Sequence, residues 1–576
     1  MKYSILSLIL TLLFLGHGDL LAANDFRERI YVQTDKQVYL AGELLWLKLC
    51  VTDATGIPVS FSKVGYVELL DESTALVQAK IEIKEGIGEG WLELPSLLPT
   101  GYYRLVAYTC YMRNEGDTVF FRKTIGVVNT FRKDETIPTD TLIKATSPDI
   151  SGNTLQLTMD KASFSRREQG NIRIQGLPAD VYTLGISIAG KEFIPVPDDH
   201  SICQWQAMLP SLNQTIFTDD YLPEYEGHLI RGKIVNVRTG EALVQTSVSP
   251  LLGFVGDEIR LFGGQQQEDK ESVLFYTSRI TGTHELATTT DSKGTEAYRI
   301  DIQSPFALHP ASRMLRFRMN PAWDEGLTQR NIGLQVTRTF TADSLGHVEP
   351  VRAYFQWKPY KTYLLDEYTR FPTMGETVFE FVESVSFRNT NGKRSLFVLL
   401  EDLSNQTVSL NSPLVLLDGI PIMDHELIYN YNPALIRRLE VYRNRYSFGG
   451  QVFEGILAFH TYKNDYPTLK VGASTQLFDY EGTQRRRLFY APTYPDEISR
   501  KSRIPDYRHT LLWMPNVQTG GKPVLTLPFY TSDLPGEYTV TVEGITKEGK
   551  PFGVLFVSAF WNRGVYACGL PHEFTR

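Results

Sequence analysis

Residues 413–462 read PLVLLDGIPIMDHELIYNYNPALIRRLEVYRNRYSFGGQVFEGILAFHTY, and the rest of the chain is best read outward from them. The apolar run Pro413–Leu417 stops at Asp418-Gly419, a pair that favours a tight turn, and a second short apolar run, Ile420–Ile422, follows. Asn432-Pro433 punctuates the chain. Ile436, Leu439, Val441 and Tyr442 then lead to Gly449-Gly450, and Gly455–His460 supplies another short strand. Just upstream, Thr373 reads as an N-cap with Glu376 three residues on, while Val378, Phe379, Phe381 and Val382 share one face. That is the one good helix candidate in the sequence. A helix followed by strands at Ser395–Leu400 and Leu414–Leu417 predicts a small α/β domain at 360–465.

The order of these blocks resembles the plug domain of TonB-dependent outer-membrane receptors. The matching positions are Asp418 and Gly419, then Asn432 and Pro433, then Gly449, Gly450 and Gly455. A receptor of that family needs a large barrel after its plug, on the order of several hundred residues. Residues 463–576 are too few and carry turn-rich globular patterning, so the resemblance implies a shared docking module rather than transport.

Towards the N-terminus, residues 28–59 read ERIYVQTDKQVYLAGELLWLKLCVTDATGIPV. A strand starts at Val32–Asp35, Ala41-Gly42 turns it, and Leu45, Leu47 and Leu49 alternate with Trp46 and Lys48 in the next strand. Thr34-Asp35-Lys36, Tyr39 and Gly42-Glu43 make this stretch similar to a macroglobulin-type domain of the α2-macroglobulin family, with Ala41 where that family has proline. The domain is expected over 24–130 and closes with Leu98-Pro99-Thr100-Gly101-Tyr102-Tyr103. This closing pattern recurs at Leu177-Pro178 before Tyr182 and at Leu534-Pro535-Gly536 before Tyr538. Proline sets the turn, and the tyrosine ring packs inward while its hydroxyl reaches the edge. Three copies predict three sandwich-like β domains, at 24–130, 140–215 and 490–566, the last Ig-like. A polar linker, Lys133–Thr139, separates the first two.

Between the second copy and the plug-like stretch, Gly232-Lys233-Ile234-Val235 reads as a strand, Thr239-Gly240-Glu241 as a turn and Ala242-Leu243-Val244 as the return. This resembles a carboxypeptidase regulatory-like (transthyretin-type) fold, expected over 222–350, with Thr290-Asp291-Ser292-Lys293-Gly294 as its later turn. The expected fold class is therefore mainly β. It is a multidomain string of Ig- and macroglobulin-like sandwiches with a small α/β plug-like domain near the C-terminus.

Composition bounds the function. At 576 residues the chain exceeds one hydrophobic core, and 42% hydrophobic with 22% charged residues is ordinary for globular protein. A net charge of −8 disfavours nucleic acid, which needs a basic face. Lys2, the apolar run Ile5–Leu15 and Ala22-Ala23 read as a secretory signal peptide over 1–23, and no later run is long enough for a transmembrane helix in the mature chain. Export permits disulfides, and Cys50 and Cys110 are placed on two strands of one domain; they either pair or remain buried thiols.

Candidate chemistry is sparse. Asp424-His425-Glu426 reads as a solvated loop, because neighbours in an extended loop point in different directions. Arg485-Arg486-Arg487 reads as a solvated basic face, and His509 near Asp506 lacks a serine in a strained elbow. The thioester motif of macroglobulins is absent around Cys203 and Cys568. No catalytic, cofactor-binding or metal-binding set is assigned. The expectation is a non-enzymatic exported protein of a Gram-negative Bacteroidetes envelope. It would sit in the periplasm or at the outer-membrane surface and dock there to a membrane or surface protein. The alternatives are an accessory hydrolase with an interdomain site, acting on glycan or peptide, and a degenerate relative of TonB-dependent transporters.

Overall fold

The fold is that of a computed structural model. It describes residues 26–132, 155–197, 200–242, 247–278, 280–292, 296–311, 320–341, 357–390, 392–401 and 412–560. The expected signal peptide, the linker at 133–139, Cys568, and the residues Leu243, Val244, Lys293 and Gly294 lie outside these. The described chain is mainly β, as expected, and its strands form several sheets. It divides into two compact units, one drawn from 1–225, 307–349 and 485–576, the other from 226–306 and 350–484.

In the first unit, eight strands between residues 28 and 128 form one sheet. Its order is Glu28–Thr34, Leu44–Asp53, Ile87–Glu93, Thr74–Lys84, Val64–Asp71, Gly101–Thr109, Phe121–Val128, Val38–Leu40. All pairings are antiparallel except the last, where Val38–Leu40 runs parallel to Gly126–Val128. The alternation read in Leu44–Asp53 predicts one wet face, yet Lys48 and Trp46 are also buried. The reason is a second layer. A Cβ on Gly185 would stand 2.7 Å from Lys48 Nζ and 2.0 Å from Gln33 Oε1, so the strand Val181–Gly190 lies directly on that face.

The second layer corrects the domain reading. The described residues of the 140–215 and 490–566 regions form two halves of one sandwich, not two domains. Its three-stranded sheet runs Val524–Tyr530, Gln169–Gln175, Gln156–Met159; its four-stranded sheet runs Thr510–Met514, Val181–Gly190, Gly536–Thr546, Pro551–Phe560. Ile172, Ile174, Leu184, Ile186 and Ile188 share a core with Leu511, Val540, Val542 and Phe552. Three strands alone cannot cover their apolar face, so each half completes the other. The Pro–Tyr recurrence thus marks neighbouring strands, with Ala189 paired to Thr539 and Gly190 to Tyr538. Tyr103 and Tyr538 both return their hydroxyls to the carbonyl four residues back, Pro99 at 2.7 Å and Leu534 at 3.3 Å. Tyr182 departs from this and donates to the Glu85 carbonyl instead.

Two helices of this unit escape the sequence reading. Ile202–Leu212 is short and contains Pro210, but Ser201 and Gln204 form a reciprocal capping box and Ile202, Trp205 and Leu209 are buried. Asp324–Thr341 falls inside the region assigned to the transthyretin-type domain, yet it belongs here, and Leu327 joins Val38, Leu40 and Tyr102 in one cluster.

The second unit holds a seven-stranded sheet ordered Tyr298–Ile302, Leu229–Asn236, Ser272–Tyr276, Leu261–Gln266, Val248–Phe254, Thr283–Ser292, Thr475–Glu481. Its edge strand lies beyond both expected domains, so the 222–350 boundary is wrong at its C-terminal end. A five-stranded sheet runs Lys361–Leu364, Ile436–Phe448, Gln451–Thr461, Leu414–Leu417, Ile420–Pro421. The expected helix forms over Met374–Phe381, with Thr373 Oγ1 accepting from Glu376 N at 3.2 Å. Leu251 and Leu261 of the first sheet pack with Leu414, Leu416 and Ile456 of the second, so 222–350 and 360–465 share a core rather than standing apart.

Candidate functional site

The positions of the plug-like motif come together, and each has a structural task. Asp418 and Gly419 have φ of 48° and 81°, as a type I′ hairpin requires, and link Leu417 to its partner Ile420. The buried Asp418 carboxylate accepts from Thr461 N at 2.8 Å, Thr461 Oγ1 at 2.6 Å and Tyr466 N at 2.8 Å. Gly419 faces the Phe254 carbonyl so closely that a Cβ would lie 1.9 Å from it. Asn432 caps the turn Pro433–Leu435 by accepting from Ala434 N at 2.9 Å, and the Pro433 carbonyl accepts from Arg370. Gly449-Gly450 is the two-residue turn between Ile436–Phe448 and Gln451–Thr461, and Gly455 sits opposite a bulge at Arg443-Asn444. The motif builds a scaffold and leaves no reactive group exposed.

Other singled-out residues resolve similarly. His425 Nδ1 accepts from Leu396 N at 3.0 Å, and burial brings its ring down to about 4, so it is a neutral acceptor within the fold. Glu426 pairs with Arg394 at 2.7 Å. Cys50 and Cys110 are not bonded; both are buried thiols, and three strands separate Leu44–Asp53 from Gly101–Thr109 in the sheet order. Burial pushes the Cys50 thiol up to about 11.

The candidate site is a cleft of about 530 Å³ in the first unit. One wall is the start of the first sandwich, with Asp35, Lys36, Gly42, Glu43 and Trp46. A second is the helix Asp324–Thr341, which turns Arg330, Gly333, Leu334, Thr337 and Arg338 towards it. Those positions follow helical spacing and lie on a single face. The third is the segment Arg487–Thr510, with Phe489, Tyr490, Tyr494, Asp506 and His509 among its lining residues.

The cleft floor is an ion cluster. Arg330, 4% exposed, places Nη2 3.1 Å from Glu43 Oε2 and Nη1 3.2 Å from Glu192 Oε2, and it also donates to the Val38 carbonyl. Lys36 Nζ lies 3.2 Å from Asp35 and 3.4 Å from Glu43. Asp35 further accepts from Tyr39 Oη at 2.8 Å, Trp46 N at 3.1 Å and Thr510 Oγ1 at 2.8 Å. Burial by itself would raise the Glu43 carboxyl, but Arg330 and Lys36 outweigh it and bring it down to about 2. Glu192 is lowered in the same way by Arg330 and His509, against its own burial. Burial and the Arg330 charge lower His509, whose Nε2 stands 3.5 Å from Glu192. Two cations, Arg330 and Lys36, thus face three carboxylates, Asp35, Glu43 and Glu192, and these contacts fix the walls.

The rim is held from behind by Arg167. It donates to Asp533 through Nε at 2.8 Å and to the carbonyls of Ser502 and Ile504 at 2.7 Å each, which pins the loop beneath Tyr494. Asp506 accepts from Tyr494 Oη at 2.9 Å, and burial raises its carboxyl despite Arg508 alongside. The mouth carries different chemistry. Phe489 meets Trp46 edge-on with centroids 5.6 Å apart, Tyr490 is exposed, and Arg487 lies over Trp91 at 4.9 Å. Arg338 donates to the Gly42 carbonyl at 2.8 Å; a Cβ on Gly42, whose φ is 91°, would meet that guanidinium at 2.5 Å. The sequence singles out Arg487, Asp506 and His509 separately, and the structure brings them to one cleft. Arg330, Arg338 and Glu192 carry no signal of their own in the sequence, because their partners lie more than a hundred positions away, Glu192 being 138 positions from Arg330 and Arg338 296 from Gly42.

Among the described residues, no group of three or more His, Cys, Asp or Glu side chains is placed to hold a metal ion, and no helix is long and apolar enough to cross a membrane. No family model and no curated relative matches the chain. Solved structures give faint likenesses. The native conformation of Escherichia coli alpha-2-macroglobulin is 11% identical with a TM-score of 0.23, over 94% of this chain and 40% of that one. A Salmonella alpha-2-macroglobulin reacted with methylamine is 10% identical at 0.22, over 92% and 39%. The Escherichia coli adhesin FdeC is 12% identical at 0.15, over 51% and 65%. The chain thus spans about two fifths of those macroglobulins' length. At such scores the likeness carries no argument, and the fold rests on the strand pairings above.

Proposed function

We propose that this chain is an exported, non-enzymatic interaction protein of a Gram-negative cell envelope, docking to an outer-membrane or surface protein. One observation carries the reading. The cleft of the first unit presents arginine and aromatic side chains at its mouth, while the titratable groups of its floor are locked into mutual ion pairs. Arginine, tryptophan and tyrosine dominate the energetics of protein interfaces, and a floor that holds its charge fixed suits recognition. The resemblance of residues 413–462 to receptor plugs supports docking at the outer membrane. Val452 of that stretch is exposed, and so are Trp357 and Tyr360, which pack against it, Trp357 on Tyr446 and Tyr360 under Arg443 at 4.4 Å.

Crosslinking on the intact cells that make the protein, followed by affinity purification of the full chain, tests this. A barrel receptor or surface lipoprotein is expected, and it should be lost from the Tyr360→Glu variant. Deleting 360–465 is the wrong variant, since it would remove Leu414, Leu416 and Ile456 from the core they share with Leu251. Recovery of the chain alone from wild-type cells sinks the docking role.

A further inference from the structure

We infer that the cleft of the first unit binds an extended acidic peptide segment, one that sets an aspartate or glutamate beside an aromatic residue. The inference rests on the interaction reading above and assigns the ligand class.

The argument for an anion starts from donors. Arg338 is exposed at the mouth and uses one N–H on the Gly42 carbonyl, while a guanidinium carries five. Arg487 stands across the mouth from the helix that carries Arg338, stacked on Trp91. Deeper in, the Arg508 side chain is 10% exposed; its Nε stands 3.2 Å from Asp506 and its Nη2 donates to the Tyr530 carbonyl at 2.8 Å, but Nε and Nη1 are both buried without a hydrogen-bond partner. A buried donor left unmatched is costly, and a carboxylate is the acceptor whose geometry fits a guanidinium best. The floor cannot supply it, because Asp35, Glu43 and Glu192 are already held by Lys36, Arg330 and their hydrogen-bond donors.

The argument for a peptide comes from size and from the aromatic groups. A cavity of about 530 Å³ far exceeds what one carboxylate fills and lies within the range of sites that enclose a whole ligand. A sugar would stack on a broad, open indole face. Trp46 is only 6% exposed and already meets Phe489 edge-on, so it offers no such platform. Phe489 and the exposed Tyr490 line the same cleft. An aromatic residue beside an acidic one would place its ring at Phe489 and Tyr490 and its carboxylate at the arginines.

Fluorescence anisotropy on the full-length chain tests this with labelled Asp-Phe-Asp-Phe and its neutral counterpart Asn-Phe-Asn-Phe. The acidic peptide should bind about tenfold more tightly, and added salt should close the gap. Arg338→Ala and Arg487→Ala should each weaken the acidic peptide by about fivefold while leaving the neutral one unchanged. Tyr490→Ala should weaken both. All three side chains reach solvent, so the variants should keep the wild-type circular dichroism. Equal binding of the two peptides, no binding of either at millimolar concentration, unaffected arginine variants, or displacement of the peptide by an acidic oligosaccharide at lower concentration would each overturn the assignment. If the peptide fails while crosslinked partners are still recovered, the cleft assignment falls alone; if partners vanish while the peptide binds, only the docking role falls.

Discussion

Arg330 in the first unit and Asp418 in the second are both buried charges, and they are satisfied in opposite ways. Arg330 faces two carboxylates, Glu43 and Glu192, which come from two different loops. Asp418 faces two backbone N–H groups and one hydroxyl, all neutral. The ion cluster sets three carboxylates against two cations, so losing Arg330 leaves like charges side by side in a partly screened site. The neutral clamp accumulates no charge, and losing one donor costs one hydrogen bond. Charge networks therefore make brittle joints, while neutral clamps yield gradually.

The largest expected effect follows directly. Arg330→Ala leaves the half-buried Glu43 and Glu192 without the cation they share, Lys36 alone remaining beside Glu43, which should cost on the order of 3 kcal/mol. Hydrogen exchange along the helix Asp324–Thr341 and the strand Val38–Leu40 should rise together. Adding Glu43→Gln and Glu192→Gln should recover part of the loss by removing the stranded charges. A change below about 1 kcal/mol in the single variant would erase the contrast between the two joints.

Acid should separate the units next. His425 is held neutral by burial, with a folded value near 4 against an ordinary 6.5. A depressed value means that the unfolded chain binds the proton first. The stability it contributes is complete above about 6.5 and is lost as the pH falls towards 4, on the order of 3 kcal/mol in all. Glu43, lowered to about 2, loses its contribution only between its ordinary 4.5 and 2. Between pH 6.5 and 4.5 hydrogen exchange should therefore rise around Leu396 and His425 while Glu43 keeps its charge; burial and Arg330 also lower His509, so the first unit answers in that window only through that ring. His425→Gln should flatten the response of the second unit, and an undiminished response in that variant would refute the assignment.

The same contrast explains what could be read from the chain. The clamp around Asp418 is local: its turn, its strand partners and the donors to its carboxylate all fall within residues 413–466, where the turn signals and strand breaks are legible, as is the helix cap at Thr373 upstream. The cleft is not local. Arg330 meets Glu43 across 287 positions, and Arg167 meets Asp533 across 366. The Asp324–Thr341 helix hides because an arginine occupies a position where its buried stripe would call for an apolar residue. The doubled Pro–Tyr pattern is legible too, but it marks two neighbouring strands, Val181–Gly190 and Gly536–Thr546, and periodicity alone cannot say whether two similar strands share a sheet or found separate ones. Cys50 and Cys110 show the same gap, since residence in one domain does not fix how many strands lie between them.

Asp418→Asn is the sharpest probe of the neutral clamp. Its φ of 48° is as open to asparagine as to aspartate, so the backbone does not confound the result. The amide keeps one acceptor oxygen but turns its NH₂ towards a donor at Thr461 or Tyr466, which should cost about 1–3 kcal/mol. Urea unfolding followed by a probe in the strand Gln451–Thr461 reads it. A loss as large as that of Arg330→Ala would show that the carboxylate's charge, not its acceptor count, holds the joint.

The smallest effect tests the same idea where no charge is involved. Asn432 accepts from Ala434 N and starts the turn Pro433–Leu435, and the Leu435 amide returns to the Asn432 carbonyl at 3.1 Å. Alanine removes only the side-chain acceptor and should cost about 1 kcal/mol, while Asn432→Asp keeps that acceptor and should stay within about 0.5 kcal/mol of the wild type. If aspartate were much worse than alanine, charge rather than acceptor geometry would govern this turn as well. The plug-like motif would then need to be read as electrostatic throughout. Equal stability of the aspartate variant and the wild type keeps Asn432 and Asp418 in one class, acceptors whose task is to satisfy backbone amides.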